Sequence, residues 1–600
     1  MPPGDPAYPA RKNHRMKLIL RYLKRYRKLV ALAIFIKLLG TLSELSLPYI
    51  LEHIIDDVVP AGRLGHVLLW GAAMFAAAIL CRFLNVGANR LAIDNAHKIS
   101  YEVRQSLFLK TSHLSGAQFD SFTLPSLISR MTSDSYNVQG AFQRIQTLCV
   151  RAPILLFGGI IVALSMDVPL AMILVIMMPL LLAVIIFVSA KGIPLYARVQ
   201  EKLDTIVRIM RENITGIRVV KALSKESYEK RRYAEANRDM TRSDIRASAI
   251  MAIPGPLMQL CLNTGLTMVV LFGASRVNGG LMKPGVILAF LTYFNMISMG
   301  VMGMNRIFIT LSKASASADR IDAVLQTPTD QDTLPEKEAL TPSGDEFIRF
   351  EHVDFSYGAT GEDLSGFHGE SREKALEDIS FAVKKGESLG IIGPTGCGKT
   401  TIVNLLMHFY EADRGGIFVD GKDVRTYEKD ALRRRFGAAF QNDMVFRDTL
   451  RENIDFGRHL SEEQIRRAVE DAMAAEFVDS LEEGLQYEAS IKGANLSGGQ
   501  KQRILVARAL AAGPEILILD DSSSALDYRT DAAMRRAIAE NHGDSTVIMI
   551  AQRVSSVMNM SHILVLDNGR CVGYGTHDEL LKSCPAYHET YEIQMGAIAG

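Results

Sequence analysis

The sequence predicts a multidomain membrane protein, in which a six-helix all-α transmembrane domain precedes an α/β domain with a largely parallel sheet. Long uncharged apolar segments fill the first half of the chain, and short β-type segments alternate with helical ones in the second half. The charge also changes sign between the halves. At 600 residues, the chain exceeds what one hydrophobic core usually organises.

The spans are predicted from runs of residues without charge. Residues 168–190 are 23 consecutive uncharged residues, enough for a helix to cross a bilayer core. Two further uncharged segments cover residues 247–275 and 284–305. Three less regular spans carry charges in or at their edges and start near residues 29, 67 and 152. We therefore predict six spanning helices.

The distribution of charge predicts the orientation of these spans. Residues 1–325 carry 38 Lys and Arg against 20 Asp and Glu, whereas residues 326–600 carry 29 against 46. Most basic residues of the first half lie in the N-terminal stretch and in the intervals 97–151 and 191–246, which are predicted to continue as helices beyond the membrane. The positive-inside rule then places both termini and the second half in the cytosol, with the chain in the cell (plasma or inner) membrane.

Composition also argues against two other kinds of protein. The basic half is also the apolar half, without aromatic and basic residues interleaved, so a nucleic-acid partner is not expected. The six cysteines are far apart, with no pair at metal-ligand spacing, so neither a disulfide framework nor a zinc site is predicted.

A polar, acidic, proline-containing linker separates the two halves. It covers residues 326–344, so the predicted domains are 1–325 and 345–600. In the second domain the predicted strands lie in FIRFEHVDF, SLGIIG, GIFVDG, ILILD, TVIMIA and HILVLDNG. Their alternation with helical segments is typical of a parallel sheet.

A glycine-rich turn follows the strand SLGIIG and precedes a helical segment. In this context the G-x-x-x-x-G-K-[ST] pattern predicts a P-loop nucleotide-binding domain, whose backbone N–H groups surround phosphate oxygens at a helix N-terminus. A lysine is expected to contact the β- and γ-phosphates of ATP, and a hydroxyl to bind Mg²⁺. The candidate residues are Gly393, Thr395, Gly396, Cys397, Gly398, Lys399, Thr400 and Thr401.

Two further motifs follow in a telling order. An apolar strand ends in Asp520, which places a carboxylate beside the predicted magnesium. Between the P-loop and this strand lie Gln441 and then the pentapeptide LSGGQ, formed by Leu496, Ser497, Gly498, Gly499 and Gln500.

Together these motifs resemble the ATP-binding-cassette (ABC) transporter family, and the resemblance covers essentially the whole chain. It implies an exporter-type half-transporter whose cassette has a helical subdomain. Tyr357 would stack on adenine, Gln441 would sense the magnesium, and the loop containing Ser524 and Asp527 would face a partner cassette. LSGGQ would act on the ATP of that partner. Residues 119–134 and 212–226 resemble the cytoplasmic coupling segments of the family.

The predicted catalytic residues depart from the family pattern at two positions. Asp521 replaces the usual glutamate, the general base, and Gln552 replaces the usual switch histidine. Because aspartate is one methylene shorter, its carboxylate ends about 1.5 Å short of the position that a glutamate carboxylate would reach. A misplacement of 1 Å can cost on the order of 10²-fold in rate. We expect a hydrolysis-impaired site beside an intact LSGGQ. This combination predicts a heterodimer whose other half-transporter keeps the glutamate and the histidine. In this respect the chain resembles the degenerate-site subunit of bacterial heterodimeric multidrug ABC exporters.

The expected function is ATP-driven export of hydrophobic or amphipathic compounds, which are drug-like or lipid-like. Two alternatives remain open at this point: an ATP-gated regulatory or channel-like protein, and a homodimeric lipid or peptide exporter with slow hydrolysis. The substrate-path candidates are Lys37, Glu44, Arg82, Met296 and Met299. Structural pairing between helices explains the charged residues equally well, and for the methionines packing or lipid contact is the favoured explanation. Arg151 could lie in the same chamber.

Three details of the cassette carry further expectations. Alkylation of Cys397 would block nucleotide binding, or else this thiol is packed and unreactive. Residues 358–374 lengthen the loop after Tyr357 as a surface insertion. Ser490 and Ile491 replace residues that are often glycine and glutamate in the family, so coupling to the partner could differ.

Overall fold

The computed structural model describes residues 17–328, 333–335, 339–358, 374–441, 443–522 and 524–596, apart from a few side chains within helices. The predicted insertion at 358–374 therefore lies almost wholly outside the described residues. The chain divides into two compact units. One comprises Met1–Lys110 and Ile128–Thr327, and the other comprises Thr111–Leu127 and Pro328–Gly600. A short segment from within the helical half thus belongs to the second unit.

Helices account for the first unit. In chain order they are α1 (Lys17–Arg25), α2 (Arg27–His53), α3 (Leu64–Ser112), α4 (Gly116–Phe122), α5 (Leu124–Ser129), α6 (Ser135–Gln146), α7 (Leu148–Pro153), α8 (Gly159–Met166), α9 (Val168–Thr215), α10 (Ile217–Ala222), α11 (Glu226–Ala252), α12 (Pro254–Asn278) and α13 (Pro284–Leu325). Of these, α4 and the first four residues of α5 belong to the second unit. Three π-helical turns are present: Ile54–Val58 extends α2, whereas Arg130–Asp134 joins α5 to α6 and Ile154–Gly158 joins α7 to α8.

Several of these helices are long and apolar enough to cross a membrane. Among the described residues, five stretches meet this criterion of length and composition: Arg27–Val58, Leu64–Ser112, Leu124–Met166, Glu226–Asn278 and Pro284–Leu325. The remaining predicted span, 168–190, lies in α9, which begins with the apolar stretch Val168–Leu180. The predicted intervals 97–151 and 191–246 are largely helical, and the two helices that enter them, α3 and α9, have 49 and 48 residues.

Polar contacts between helices support the packing of the first unit. Asp134 forms a bidentate ion pair with Arg320 of α13 and accepts a hydrogen bond from Ser317, at 2.8 Å. Arg276 pairs with Asp167 at 2.9 Å, next to the start of α9. Because carboxylate and guanidinium both have several hydrogen-bonding atoms, such pairs fix orientation as well as distance.

The second unit contains two sheets. Its strands are β1 (Ile348–Phe355), β2 (Leu376–Val383), β3 (Ser388–Ile392), β4 (Arg414–Val419), β5 (Lys422–Asp423), β6 (Phe436–Ala439), β7 (Ile516–Asp520), β8 (Thr546–Ile550), β9 (His562–Asp567) and β10 (Arg570–Gly575). One sheet has the order β2-β1-β4-β5, and the other β10-β9-β3-β8-β7-β6. The strands from β9 to β6 are parallel in the second sheet.

The parallel sheet agrees with the prediction, but two of the predicted strands lie elsewhere. FIRFEHVDF and GIFVDG form β1 and β4, which pair with each other in the antiparallel sheet. The sequence does not reveal this division because the length of a strand and its hydrophobic pattern do not specify its neighbours.

Helices pack on the sheets and fill the connections between strands. They are α14 (Lys399–Leu406), α15 (Lys429–Arg434), α16 (Leu450–Asp455), α17 (Glu462–Asp471), α18 (Ala475–Asp479), α19 (Gly498–Leu510), α20 (Tyr528–Asn541), α21 (Val554–Val557), α22 (His577–Ser583) and α23 (Pro585–Gly596). Helices α16–α19 lie between β6 and β7 and form the helical subdomain. Every side chain of β7 is buried, with Ile516 and Ile518 in one hydrophobic cluster and Leu517 and Leu519 in the other.

Candidate functional site

The glycine-rich turn connects β3 to the N-terminus of α14. Gly396 and Gly398 have φ angles of +87° and +100°, in the left-handed region that favours glycine. A Cβ atom on Gly398 would also lie 2.7 Å from the carbonyl oxygen of Ala375, so no larger residue fits there. Lys399 donates hydrogen bonds to the carbonyl oxygens of Gly393 and Pro394, at 2.7 and 2.8 Å, which holds its ammonium group over the turn.

A carboxylate and a hydroxyl meet at the start of α14. Asp520 ends β7 and is only 2% exposed, and its Oδ2 accepts a hydrogen bond from Thr400 Oγ1 at 2.9 Å. Burial raises the pKa of Asp520, partly offset by the bond from Thr400. Carboxylate and hydroxyl oxygens are hard ligands of the kind that Mg²⁺ prefers, and these two lie side by side next to the glycine-rich turn.

Asp521, the next residue, is held by two amides. Its Oδ2 accepts hydrogen bonds from Gln441 Nε2 at 3.1 Å and from Gln552 Nε2 at 2.8 Å. Its φ angle of +50° places it in the left-handed region, which aspartate tolerates better than most residues. The two positions that depart from the family pattern are therefore in direct contact, and one carboxylate oxygen is occupied by two N–H donors.

These side chains surround one open cavity of about 360 Å³. Tyr357 lines it and is hydrogen-bonded to Thr401 Oγ1 at 3.1 Å. The structure thus brings together predicted residues that are up to 195 positions apart in the chain, because β3, β7 and β8 are adjacent in the sheet. The cavity is lined by Tyr357, Ala375, Thr395, Gly396, Gly398, Lys399, Thr400, Thr401, Gln441, Asp520, Asp521, Ile550 and Gln552.

Cys397 lies in the turn but is not among the cavity-lining residues. It is 4% exposed, and burial raises the pKa of its thiol. Of the two interpretations that the sequence left open, this environment favours the packed, unreactive thiol.

The LSGGQ segment forms the start of α19. Ser497 is the N-cap of this helix, and its hydroxyl accepts the backbone N–H of Gln500 while the Gln500 side chain accepts the N–H of Ser497. This reciprocal capping leaves the Gly498 and Gly499 positions at the helix N-terminus. Leu496, just before the cap, is buried. Among the described residues that line the cavity, none belongs to this segment.

The loop after Asp521 leads into α20. Asp527 caps that helix, accepting the backbone N–H groups of Arg529 and Thr530 at 3.1 and 2.9 Å. Ser524 Oγ accepts a hydrogen bond of 2.9 Å from Gln502, which lies in α19. The predicted inter-cassette loop is therefore tied to the LSGGQ helix of its own chain.

Comparison with known proteins agrees with this architecture. Residues 30–301 match the family model described as the ABC transporter transmembrane region, and residues 376–524 match the one described as ABC transporter. An uncharacterised ABC transporter ATP-binding protein of Mycobacterium tuberculosis is 32% identical over 578 residues, covering 96% of this chain and 97% of the relative. The chain belongs to the ABC transporter family.

Other members of the family show similar coverage. An uncharacterised ABC transporter ATP-binding protein of Bacillus subtilis is 32% identical, covering 97% of this chain and 99% of that protein. An ATP-dependent lipid A-core flippase of Desulfotalea psychrophila is 33% identical over 82% of this chain and 84% of its own length. A bacterial Atm1-family ABC exporter solved with ATP bound has a TM-score of 0.78 at 23% identity, covering 95% and 98%, and shares the fold.

As an ABC half-transporter of the exporter fold, the chain spans the membrane and binds ATP through its second unit. The substrate-path candidates lie in its first unit. Lys37 is 4% exposed and donates to the side-chain oxygens of Asn85 and Asn89 of α3, at 2.8 and 3.1 Å. Glu44 instead forms a bidentate pair with Arg151, at 3.1 and 2.7 Å.

Lys37 and Glu44 thus have separate hydrogen-bonding partners, although they share a helix face. The structure places Arg82 and Met299 on the exposed surface of this unit, while Met296 is half-buried beside a hydrophobic cluster. Partners on other helices decide these contacts, and the spacing within α2 does not reveal them.

Two residues of the second unit that connect its functional segments to their neighbours were not identified by the sequence analysis. Gln502 bridges the LSGGQ helix to the loop that contains Ser524, since its side chain also accepts the Ala525 N–H at 2.9 Å. Tyr410 donates a hydrogen bond of 2.7 Å to Asp120 of α4, a helix of the second unit. Gln502 lies two residues after the pentapeptide, a proximity that could have drawn attention to it. No local signal marks Tyr410.

Proposed function

We propose that the protein exports hydrophobic or amphipathic compounds as one half of a heterodimeric ABC transporter. Its own ATP site is hydrolysis-impaired, and its LSGGQ motif completes the active site of the partner. The observation that carries the proposal is the contact of Asp521 with Gln441 and Gln552, whose amides both donate to one carboxylate oxygen. A carboxylate engaged in this way is poorly placed to accept a proton from attacking water.

The substituted switch residue weakens catalysis in a second way. Gln552 can donate a hydrogen bond to a γ-phosphate, but an amide cannot become a cation and stabilise the charge that develops during transfer. Lys399 and the amides of the glycine-rich turn still provide a phosphate site. The site therefore retains what it needs to hold ATP and lacks what hydrolysis requires.

Magnesium would be held by Thr400, Gln441 and Asp520. The Thr400 hydroxyl and the Asp520 carboxylate already lie 2.9 Å apart, and both are oxygen ligands. Bound Mg²⁺ would supply positive charge to the β- and γ-phosphate oxygens. Tyr357, which lines the same cavity, provides an aromatic ring for the adenine base.

The LSGGQ helix is built to act on another molecule's nucleotide. Ser497 and Gln500 cap each other, so Gly498 and Gly499 remain at a helix N-terminus, which attracts phosphate. In the head-to-tail arrangement that we propose, these groups meet the ATP of the partner, and the loop of Ser524 and Asp527 faces the partner cassette. That partner retains the catalytic glutamate and the switch histidine.

The substrate path and the orientation follow from the membrane half. We place the chain in the cell membrane with both termini and the cassette in the cytosol, because basic residues concentrate in the predicted cytosolic intervals. Lys37, Glu44, Arg82, Met296 and Met299 are the proposed path residues. The 33% identity to a lipid A-core flippase favours lipid translocation as a second candidate function.

Copurification and transport together test the proposal. A tagged chain, isolated from membranes in mild detergent, is expected to bring down a second half-transporter that contains the glutamate and the histidine. The pair in vesicles should take up an amphipathic dye with ATP, and replacing the partner's glutamate by glutamine should stop uptake. The matched change Asp521→Asn in this chain should leave most uptake intact. Brisk ATP turnover by this chain alone as a homodimer would refute the heterodimer.

A further inference from the structure

The last helix of the chain, α23, adjoins the ATP site. A second cavity of about 450 Å³ lies beside the nucleotide cavity and shares Thr395 and Gln552 with it. Gln594, in the last turn of α23, lines this second cavity. The C-terminal helix is thus a neighbour of the switch residue, although more than forty positions separate Gln552 from Gln594.

The side chain of Gln594 bridges two backbone groups on either side of Arg553. Its Nε2 donates to the carbonyl oxygen of Gln552 at 3.0 Å, and its Oε1 accepts the N–H of Val554 at 2.7 Å. A side-chain amide carries a donor nitrogen and an acceptor oxygen on the same carbon, whereas an ionised carboxylate of the same shape can only accept. Val554 begins the short helix α21, whose N-cap residue makes no side-chain capping bond, so Gln594 supplies the missing acceptor.

The helix that carries Gln594 is anchored in the core of the second unit. Tyr587 is 1% exposed and is hydrogen-bonded to His577 Nδ1 at 2.7 Å, and Tyr591 packs against the same hydrophobic cluster. Tyr587, Tyr591 and Gln594 have i, i+4, i+7 spacing and therefore share one helix face. The packing of this face fixes the position of Gln594 relative to the segment from Gln552 to Val554.

We infer that Gln594 is a positioning residue for Gln552 and that α23 thereby sets the geometry of the ATP site at the γ-phosphate. Gln594 holds the backbone of Gln552, and the side chain of Gln552 reaches Asp521 at 2.8 Å. When ATP binds, the same restraint aims the Gln552 amide at the γ-phosphate. The inference rests on the proposed role of Gln552, and it predicts that Gln594 affects ATP far more than ADP.

The test uses the full-length chain in lipid nanodiscs, together with any subunit that copurifies. Photolabelling with 8-azido-ATP, followed by gel separation, reports nucleotide binding to this chain alone. Unlabelled ATP or ADP competes with the label. Gln594→Ala should raise the ATP concentration needed for half-maximal protection about tenfold, which corresponds to about 1.4 kcal/mol, and should change the ADP value less than twofold.

Two matched variants separate positioning from simple helix capping. Gln594→Glu still accepts the Val554 N–H but, as a carboxylate, cannot donate to the Gln552 carbonyl, so it should lose ATP selectivity as Gln594→Ala does. Glu592→Ala changes an exposed residue of the same helix and should leave both affinities unchanged. Wild-type ATP selectivity in Gln594→Glu, or equal losses for ATP and ADP in Gln594→Ala, would overturn the inference.

A third variant shows which idea has failed if the results disagree. Gln552→Ala should itself lower ATP affinity relative to ADP. If it does so and Gln594→Ala does not, the positioning role of Gln594 is wrong while the proposed role of Gln552 stands. If Gln552→Ala leaves the ATP-to-ADP ratio unchanged, the proposed γ-phosphate contact of Gln552 is wrong, and the inference fails with it.

Discussion

Replacing Asp521 by glutamate and Gln552 by histidine together should convert the ATP site of this chain into an efficient hydrolytic site. Both residues lie in the nucleotide cavity and contact each other at 2.8 Å. The double change restores a longer carboxylate and a side chain that can carry positive charge. It also removes one of the two amides that donate to the Asp521 carboxylate.

The expected size of the effect follows from this geometry. Glutamate extends the carboxylate by about 1.5 Å, and a misplacement of 1 Å costs on the order of 10²-fold in rate. We therefore expect kcat to rise at least about 100-fold, or about 2.7 kcal/mol in the activation barrier. Each single variant should rise less, since the base and the switch residue act together.

Phosphate release from the full-length chain in nanodiscs, with any copurified subunit, measures this effect. Lys399→Ala in the double variant is the control, because it removes the ammonium group that we propose binds phosphate while leaving Asp521→Glu and Gln552→His in place. The left-handed φ of +50° at position 521 makes a melting curve necessary, since glutamate tolerates it less well than aspartate. A properly folded double variant with less than a threefold gain in kcat would refute the reasoning.

Three further predictions follow from the structure. Because burial raises the pKa of Asp520, ionisation of this carboxyl lowers the stability of the folded chain as the pH rises through that pKa. At neutral pH, Asp520→Asn should therefore not lower Tm, but it should abolish the Mg²⁺-dependent part of the Tm gain with ATP. A lower Tm would contradict this prediction. Because burial also raises the pKa of the Cys397 thiol, its alkylation should be slow at neutral pH and should become about tenfold faster with each pH unit. Peptide mass spectrometry measures the rate of alkylation. Complete modification within minutes at neutral pH would contradict the prediction of a packed thiol. Tyr410→Phe removes the hydrogen-bond donor to Asp120, so amide hydrogen exchange in α4 should become about tenfold faster. The control Asp120→Asn keeps an acceptor and should change the exchange rate less. Unchanged exchange in Tyr410→Phe would show that this hydrogen bond does not stabilise α4.

Much of the nucleotide site could be predicted because its motifs are local. Residue types at fixed spacing and a flanking strand and helix suffice to recognise the turn from Gly393 to Thr401, because a phosphate-binding turn of this pattern acts through its own backbone. The apolar strand that ends at Asp520 is recognisable for the same reason. In the membrane half, uncharged length alone predicts spans, since the bilayer requires it of any helix.

Other features could not be predicted because they depend on neighbours distant in the chain. The antiparallel pairing of β1 with β4 is decided by packing, and the partners of Lys37 and Glu44 lie on other helices. Gln594 sits among the last residues of the chain, in a helix without any motif. Only the folded chain brings its amide within hydrogen-bonding distance of the backbone of Gln552 and Val554.

The sequence by itself determined that this chain has a membrane half and an ATP-binding half, and that Asp521 and Gln552 depart from the family pattern. These conclusions depend on the identity, order and spacing of residues, which folding does not alter. Only the tertiary structure decided that Asp521 accepts hydrogen bonds from both Gln441 and Gln552 and that Gln594 is hydrogen-bonded to the backbone of Gln552 and Val554. The physical reason is that a hydrogen bond depends on distance and angle within a few tenths of an ångström. Such distances between remote residues are set by strand order and helix packing.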